Sequence, residues 1–160
     1  MLYLSSLEEA LGRAALNRTR LICISSEQAA SSSFDDTPKW NLNKLVSEHL
    51  MSTPKSEWTL ICTSYVESLV QQQVRGVVLL IGLEVLFDRS LAVDPLKLLM
   101  KCARTKTIIV SWPGEINSNG LSYANVSHPE YRMYKPSELD DVIFLSADAQ
   151  LHLRDINEIR

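Results

Sequence analysis

The chain has 160 residues, with 16 lysines and arginines against 19 aspartates and glutamates, for a formal net charge of −3. That length fits one domain burying roughly two-thirds of its unfolded surface, so neither a metal nor a disulfide staple is required. Hydrophobic residues at 46% and charged residues at 22% exclude disorder for the chain as a whole. The acidic balance excludes nucleic-acid binding driven by bulk positive charge and leaves room only for a local basic patch.

The longest apolar run, 77–87, is interrupted by Glu84 and falls short of the ~20 residues a membrane helix needs. Glu8 and Glu9 stand where a signal peptide would carry bases. Cys23, Cys62 and Cys102 are odd in number, lie inside apolar stretches and lack metal-site spacing, so they read as buried thiols. His49, His128 and His152 are scattered. A cytoplasmic globular protein without metal, cofactor or membrane contact is expected. Asn17-Arg18-Thr19 and Asn125-Val126-Ser127 match the glycosylation pattern by chance in such a chain.

In chain order, Ser6 with Glu9 forms a capping box, and Leu7, Ala10, Leu11 and Ala14 recur at helical spacing, predicting a helix over about 6–17. The run 20–24 has strand length. A Ser- and Asp-rich loop follows to Pro38, with room for a turn or two of helix at 27–31. Residues 40–43 read as a brief strand feeding a helix whose apolar face is Leu42, Leu45, Val46, His49 and Leu50, ended by Pro54. A helix is expected over 57–73, its first turn ambiguous because Thr59, Ile61 and Thr63 are β-branched. The continuous apolarity of 76–81 is that of a strand covered on both faces. Asp94-Pro95 opens a helix, and 106–112 is a further strand broken by Pro113-Gly114. Residues 117–120 read as a turn, 121–134 as irregular surface chain, 141–145 as a short last strand and 148–158 as a final helix. Strands alternating with helices indicate one α/β domain, three-layered, with a mostly parallel sheet. Ile22, Val78, Leu80, Ile108 and Val110 belong in its central strands.

A parallel α/β sheet binds ligands at the carboxyl ends of its strands. A P-loop after the first central strand needs glycines to wrap phosphate with backbone amides and a lysine to reach the terminal phosphates. Residues 25–33 contain neither, and Glu27 adds repulsion to any anion.

The strings Val77-Val-Leu-Leu-Ile-Gly-Leu-Glu-Val-Leu-Phe-Asp88, Leu91-Ala-Val-Asp-Pro-Leu96, Ser111-Trp-Pro-Gly114 and His128-Pro-Glu-Tyr-Arg132, in that order, resemble the BrxF-like small P-loop proteins of type 3 BREX phage-defence systems. The similarity spans about 40–134 and is densest after Val77. It implies a P-loop-NTPase-like (AAA-type) fold. This sequence departs from the implied pattern at each catalytic position. Ile81 and Gly82 stand where a Walker B Asp would hold magnesium, and Pro113 stands where a sensor-like Asn is expected. Glu84 matches an acidic residue of the pattern, but a general base has no role without metal and phosphate, so it reads as a solvated or paired carboxylate. Asp35-Asp36 reads as solvated loop.

The resemblance therefore implies a non-hydrolysing pseudo-ATPase, a scaffold or interaction subunit of a phage-defence complex. Its implied partners are a large P-loop ATPase, a methyltransferase and an alkaline-phosphatase-like protein, with a homo-oligomer as another assembly. The interaction residues expected are Tyr123, His128, Tyr131, Arg132 and Tyr134, types that supply rigid contact area and bidentate hydrogen bonds. Two other readings stand beside it. One is a nucleotide-binding or ATP-hydrolysing protein with an atypical site, separable by ligand-dependent thermal stabilisation. The other is a DNA-contacting accessory module, separable by salt-dependent binding.

Overall fold

A computed structural model of the chain describes residues 1–74 and 76–151. Its elements run β1 (Leu2–Ser6), α1 (Leu7–Leu16), β2 (Leu21–Ser25), α2 (Ser26–Ala29), β3 (Lys39–Asn41), α3 (Leu42–Leu50) and α4 (Trp58–Gln72). They continue with β4 (Val78–Ile81), α5 (Pro95–Cys102), β5 (Ile108–Trp112), β6 (Glu115–Asn117), β7 (Gly120–Tyr123), β8 (Arg132–Tyr134) and β9 (Val142–Gln150). Short 3₁₀ turns fill several connections, two of them between β4 and α5.

Six strands form one sheet in the order β1-β9-β2-β5-β4-β3, with every neighbouring pair parallel. Residue alternation along these strands splits the core in two. Ile22, Ile24, Leu79, Ile109 and Ile143 face α1 and α2, packing on Leu7, Ala10, Leu11, Ala14 and Ala29. Leu21, Cys23, Val78, Leu80, Ile108, Val110, Val142 and Phe144 face α3, α4 and α5. The result is the expected three-layer α/β arrangement, and Ile22, Val78, Leu80, Ile108 and Val110 are all buried in central strands.

Local chemistry explains the helix starts. Ser6 Oγ accepts the Glu9 amide at 3.1 Å, and Asp94 Oδ1 accepts the Lys97 amide at 3.2 Å, with Pro95 at the first helical position. The β-branched start of α4 is helical because its hydroxyls find carbonyls. Thr63 Oγ1 donates to Thr59 O at 2.8 Å, and Thr59 Oγ1 donates across to Leu91 O at 2.6 Å. All three cysteines are free and buried. Burial pushes the Cys62 thiol up to about 11 and the Cys102 thiol up to about 12, and raises Cys23 as well. They are neutral packing groups at pH 7.

Three expectations are corrected. Residues 2–6 form a strand, β1, where the sequence reading began only at the Ser6 cap. Its partner is β9, with Leu2 opposite Ile143, a pairing far too distant in sequence to announce itself locally. The last strand runs on to Gln150, so residues 148–150 are strand rather than helix, and the remainder of the expected helix from residue 152 lies outside the described residues. Finally, 121–134 is not irregular surface chain. It supplies β7 and β8, which join β6 in a three-stranded antiparallel sheet whose buried ends, Leu121 and Tyr134, pair with one another.

Candidate functional site

At the carboxyl end of β2, where a phosphate loop would lie, the backbone is closed on itself. Ser25 and Gln28 form a reciprocal capping box: the Gln28 amide donates to Ser25 Oγ at 3.1 Å, and the Ser25 amide donates to Gln28 Oε1 at 3.0 Å. Gln28 Nε2 then donates to Ser146 O at 2.8 Å, and Ser146 Oγ to Leu4 O at 3.2 Å. These bonds tie α2 to β9 and β9 to β1. Further along, the amides of Ala30, Ser31, Phe34, Asp35 and Thr37 all donate to carbonyls within the loop. These seven amides, from Ser25 to Thr37, are thus engaged within the segment itself.

Beside it, at the ends of β3 and β4, Glu84 Oε2 accepts from Asn43 Nδ2 at 2.8 Å while Asn43 Oδ1 accepts the Val85 amide at 2.7 Å. Glu84 is thus an exposed carboxylate tied to α3. Gly82 has φ +62°, and a Cβ there would collide with the Asn41 side chain, which itself caps α3 through the Lys44 amide. Among the described residues no group of three or more His, Cys, Asp or Glu side chains is placed to hold a metal ion. Among them, too, no helix is long and apolar enough to cross a membrane.

The small antiparallel sheet packs against the carboxyl end of β5. Its anchor is Trp112, 1% exposed, whose Nε1 donates to Ser122 O at 2.9 Å. Phe87 meets Trp112 edge-on at 5.6 Å between centroids and stacks on Tyr123 at 3.9 Å. Tyr134 also meets Trp112 edge-on, at 5.9 Å. Residue alternation turns Leu121, Tyr123 and Tyr134 toward this cluster and leaves Glu115, Ser122 and Met133, cross-strand neighbours, on the outer face.

Asp94 ties the small sheet to α5. Besides capping the helix, its Oδ1 accepts the Tyr134 hydroxyl at 2.9 Å, and its Oδ2 pairs with Arg132 at 3.4 Å. The same hydroxyl accepts the Leu96 amide at 3.4 Å. Burial first, and then the Asp94 charge, hold the Tyr134 phenol above its ordinary range despite the opposing pull of the Leu96 amide. Tyr123 is raised by burial and by the charges of Glu130 and Glu84. The sequence identified Asp94 only as a cap, because its other partners lie about forty residues away.

The five expected interaction residues therefore share one hairpin but not one role. Tyr134 is buried, Tyr123 and Arg132 are half-buried, and His128 and Tyr131 lie exposed on the β7–β8 loop. His128 Nδ1 accepts the Glu130 amide at 3.1 Å, and its carbonyl accepts the Tyr131 amide at 3.0 Å, which shapes the loop. Ala124 enters it at φ +60°, a left-handed conformation that costs a non-glycine residue about 1–2 kcal/mol. Tyr131, 37% exposed, forms a ridge between two surface depressions. One of about 220 Å³ is bounded by Phe87, Arg89, Val93, Glu130 and Arg132. The other, of about 450 Å³, is bounded by Glu115, Asn117, Ser122, Asn125 and Met133. Comparison with family models, with curated proteins and with solved structures yields no match to this chain.

Proposed function

We propose that this chain is a cytoplasmic, non-catalytic interaction subunit built on a P-loop-like (AAA-type) frame that has lost its nucleotide chemistry. The observation that carries the reading is the self-capped loop after β2, where Ser25 and Gln28 consume each other's amides and the position has neither glycine nor lysine. The strand order supports the frame. Leaving β1 aside, β5 is inserted between β2 and β4, with β9 on the far side of β2. Work without hydrolysis is work through a surface, and the Tyr131 ridge, flanked by two depressions and with Arg132 and His128 close to it in the chain, offers such a surface. Tyr123 and Tyr134 serve that surface by holding the hairpin on Phe87, Trp112 and Asp94. The resemblance of about 40–134 to the type 3 BREX proteins supplies the setting, a phage-defence complex, and the candidate partners already named.

Two measurements test this. Titration of ATP with magnesium is expected to leave the melting temperature unchanged; a micromolar affinity, adding about 2.7 kcal/mol at a hundredfold excess over Kd, overturns the loss of the nucleotide site. Co-expression with the large P-loop ATPase, the methyltransferase and the alkaline-phosphatase-like protein of such a system is expected to give a stable complex with one of them. Replacing Tyr131→Ala together with Arg132→Ala should weaken that complex about thirtyfold, or ~2 kcal/mol. The melting temperature should stay nearly constant, since a half-exposed ion pair such as Arg132–Asp94 is worth about 0–1 kcal/mol. Failure of all three proteins to associate, or unaltered binding by the double variant, removes the assignment.

A further inference from the structure

The opposite end of the main sheet carries a second, unrelated feature. Two short connections, Arg18-Thr19-Arg20 and Arg104-Thr105-Lys106, lead into β2 and β5. These strands are neighbours, with Leu21 opposite Ile108. The connections are bonded to each other: the Arg20 amide donates to Ala103 O at 2.8 Å and the Ile108 amide to Arg20 O at 2.9 Å. Four cations of a chain with net charge −3 are thereby gathered at one place.

Cations beside helix C-termini often answer the last carbonyls of the helix, and Lys106 does so, donating to Gln73 O at 2.6 Å at the end of α4. The arginines do not. Arg18 and Arg104 are exposed, and among the described residues the ion pairs are Lys101–Glu67 and Arg132–Asp94, neither involving them. Arg20 Nε is buried without a hydrogen-bond acceptor, a condition that native proteins relieve with water or an ion. Of the carboxylates on neighbouring elements, Glu67 is held by Lys101 at 2.8 Å, and Asp140 and Asp141 lie on the connection into β9. None of them neutralises an arginine of the pair of loops.

We infer that this end of the sheet binds the phosphate backbone of a nucleic acid, through Arg18, Arg20 and Arg104. Guanidinium forks match phosphate oxygens bidentately, and contacts of this kind position a backbone without reading sequence. The site lies at the amino ends of the strands, whereas the Tyr131 ridge packs at their carboxyl ends, so the two surfaces work independently.

Fluorescence anisotropy of the full chain with a short labelled DNA duplex tests the inference. Three phosphate contacts imply a log–log salt slope of about −3, so affinity should fall roughly sixtyfold between 50 and 200 mM salt. The variant Arg18→Ala with Arg104→Ala should keep the melting temperature and flatten the slope to about −1, while Tyr131→Ala with Arg132→Ala should bind as the native chain does. Absence of binding at 50 mM salt, or a slope unaffected by Arg18→Ala with Arg104→Ala, overturns the site. Displacement of the duplex by polyglutamate as efficiently as by unlabelled duplex overturns the assignment to phosphate.

Discussion

Trp112→Ala is expected to cost the fold about 3–5 kcal/mol, the range for emptying a buried aromatic site. Trp112 is the largest fully buried side chain of the described residues, and its removal acts three times over. It opens a cavity between Phe87 and Tyr134, both of which lose an edge-on ring contact. It strips the partly buried Ser122 carbonyl of its 2.9 Å donor, a hydrogen bond worth about 0.5–1.5 kcal/mol. It also loosens the seat of the antiparallel sheet, and with it the hairpin of Tyr131. For a chain of this size each kcal/mol moves the melting temperature by about 2–4 °C, so calorimetry should register a drop on the order of 10 °C. Trp112→Phe, which keeps one aromatic ring but loses the second ring and the N–H, should fall by less than Trp112→Ala. A Trp112→Ala protein that melts within 2–3 °C of the native chain would show that the small sheet is not anchored there.

Two glycine substitutions of identical chemistry should move stability in opposite directions. Gly120→Ala is expected to be severely destabilising, by about 2–4 kcal/mol or more. Gly120 sits at φ +125°, and a Cβ there would run into the Tyr134 carbonyl oxygen, backbone that cannot step aside without parting β7 from β8. Gly12→Ala has no such obstacle, because nothing lies within 4 Å of the position its Cβ would take. Gly12 is exposed within α1, where Gly is about 0.5–1 kcal/mol worse than Ala. Urea melts of the two variants should therefore bracket the native midpoint. A Gly120→Ala midpoint at or above the native value would mean that β7 and β8 are not held in register as described.

How much of this was legible beforehand depends on the range of the interactions involved. Strands β2, β4 and β5 announced themselves because strands covered on both faces read as unbroken apolar runs such as Val77-Val-Leu-Leu-Ile81. The helix starts at Ser6 and Asp94 were legible because caps act over three residues. The capping box of α2 was not, although Ser25 and Gln28 have the required spacing, because a four-residue helix carries no apolar periodicity to point at it. β1 is Leu-Tyr-Leu-Ser-Ser, too short for a pattern and made a strand by β9. The hairpin of β7 and β8 was hidden for a different reason. Its strands have four and three residues, and their burial is imposed by Trp112, Phe87 and Asp94 from elsewhere in the chain. The functional residues named within 121–134 were placed by type; their division into exposed ridge and buried support is a property of that packing alone.

The position of β9 has a consequence for how the molecule is made. It lies between β1 and β2, yet it leaves the ribosome long after both. At about 5–20 residues per second, the interval between completing β2 and reaching Val142 is roughly 6–23 s. Throughout it, the Leu-Ile-Cys-Ile edge of β2 faces a slot that only β9 can fill, and β1 has no strand to join. A newly made chain thus spends many seconds with an apolar edge open to any extended segment nearby. The Gln28–Ser146 bond can form only once that slot is taken, making it a latch that closes only after β9 has been made.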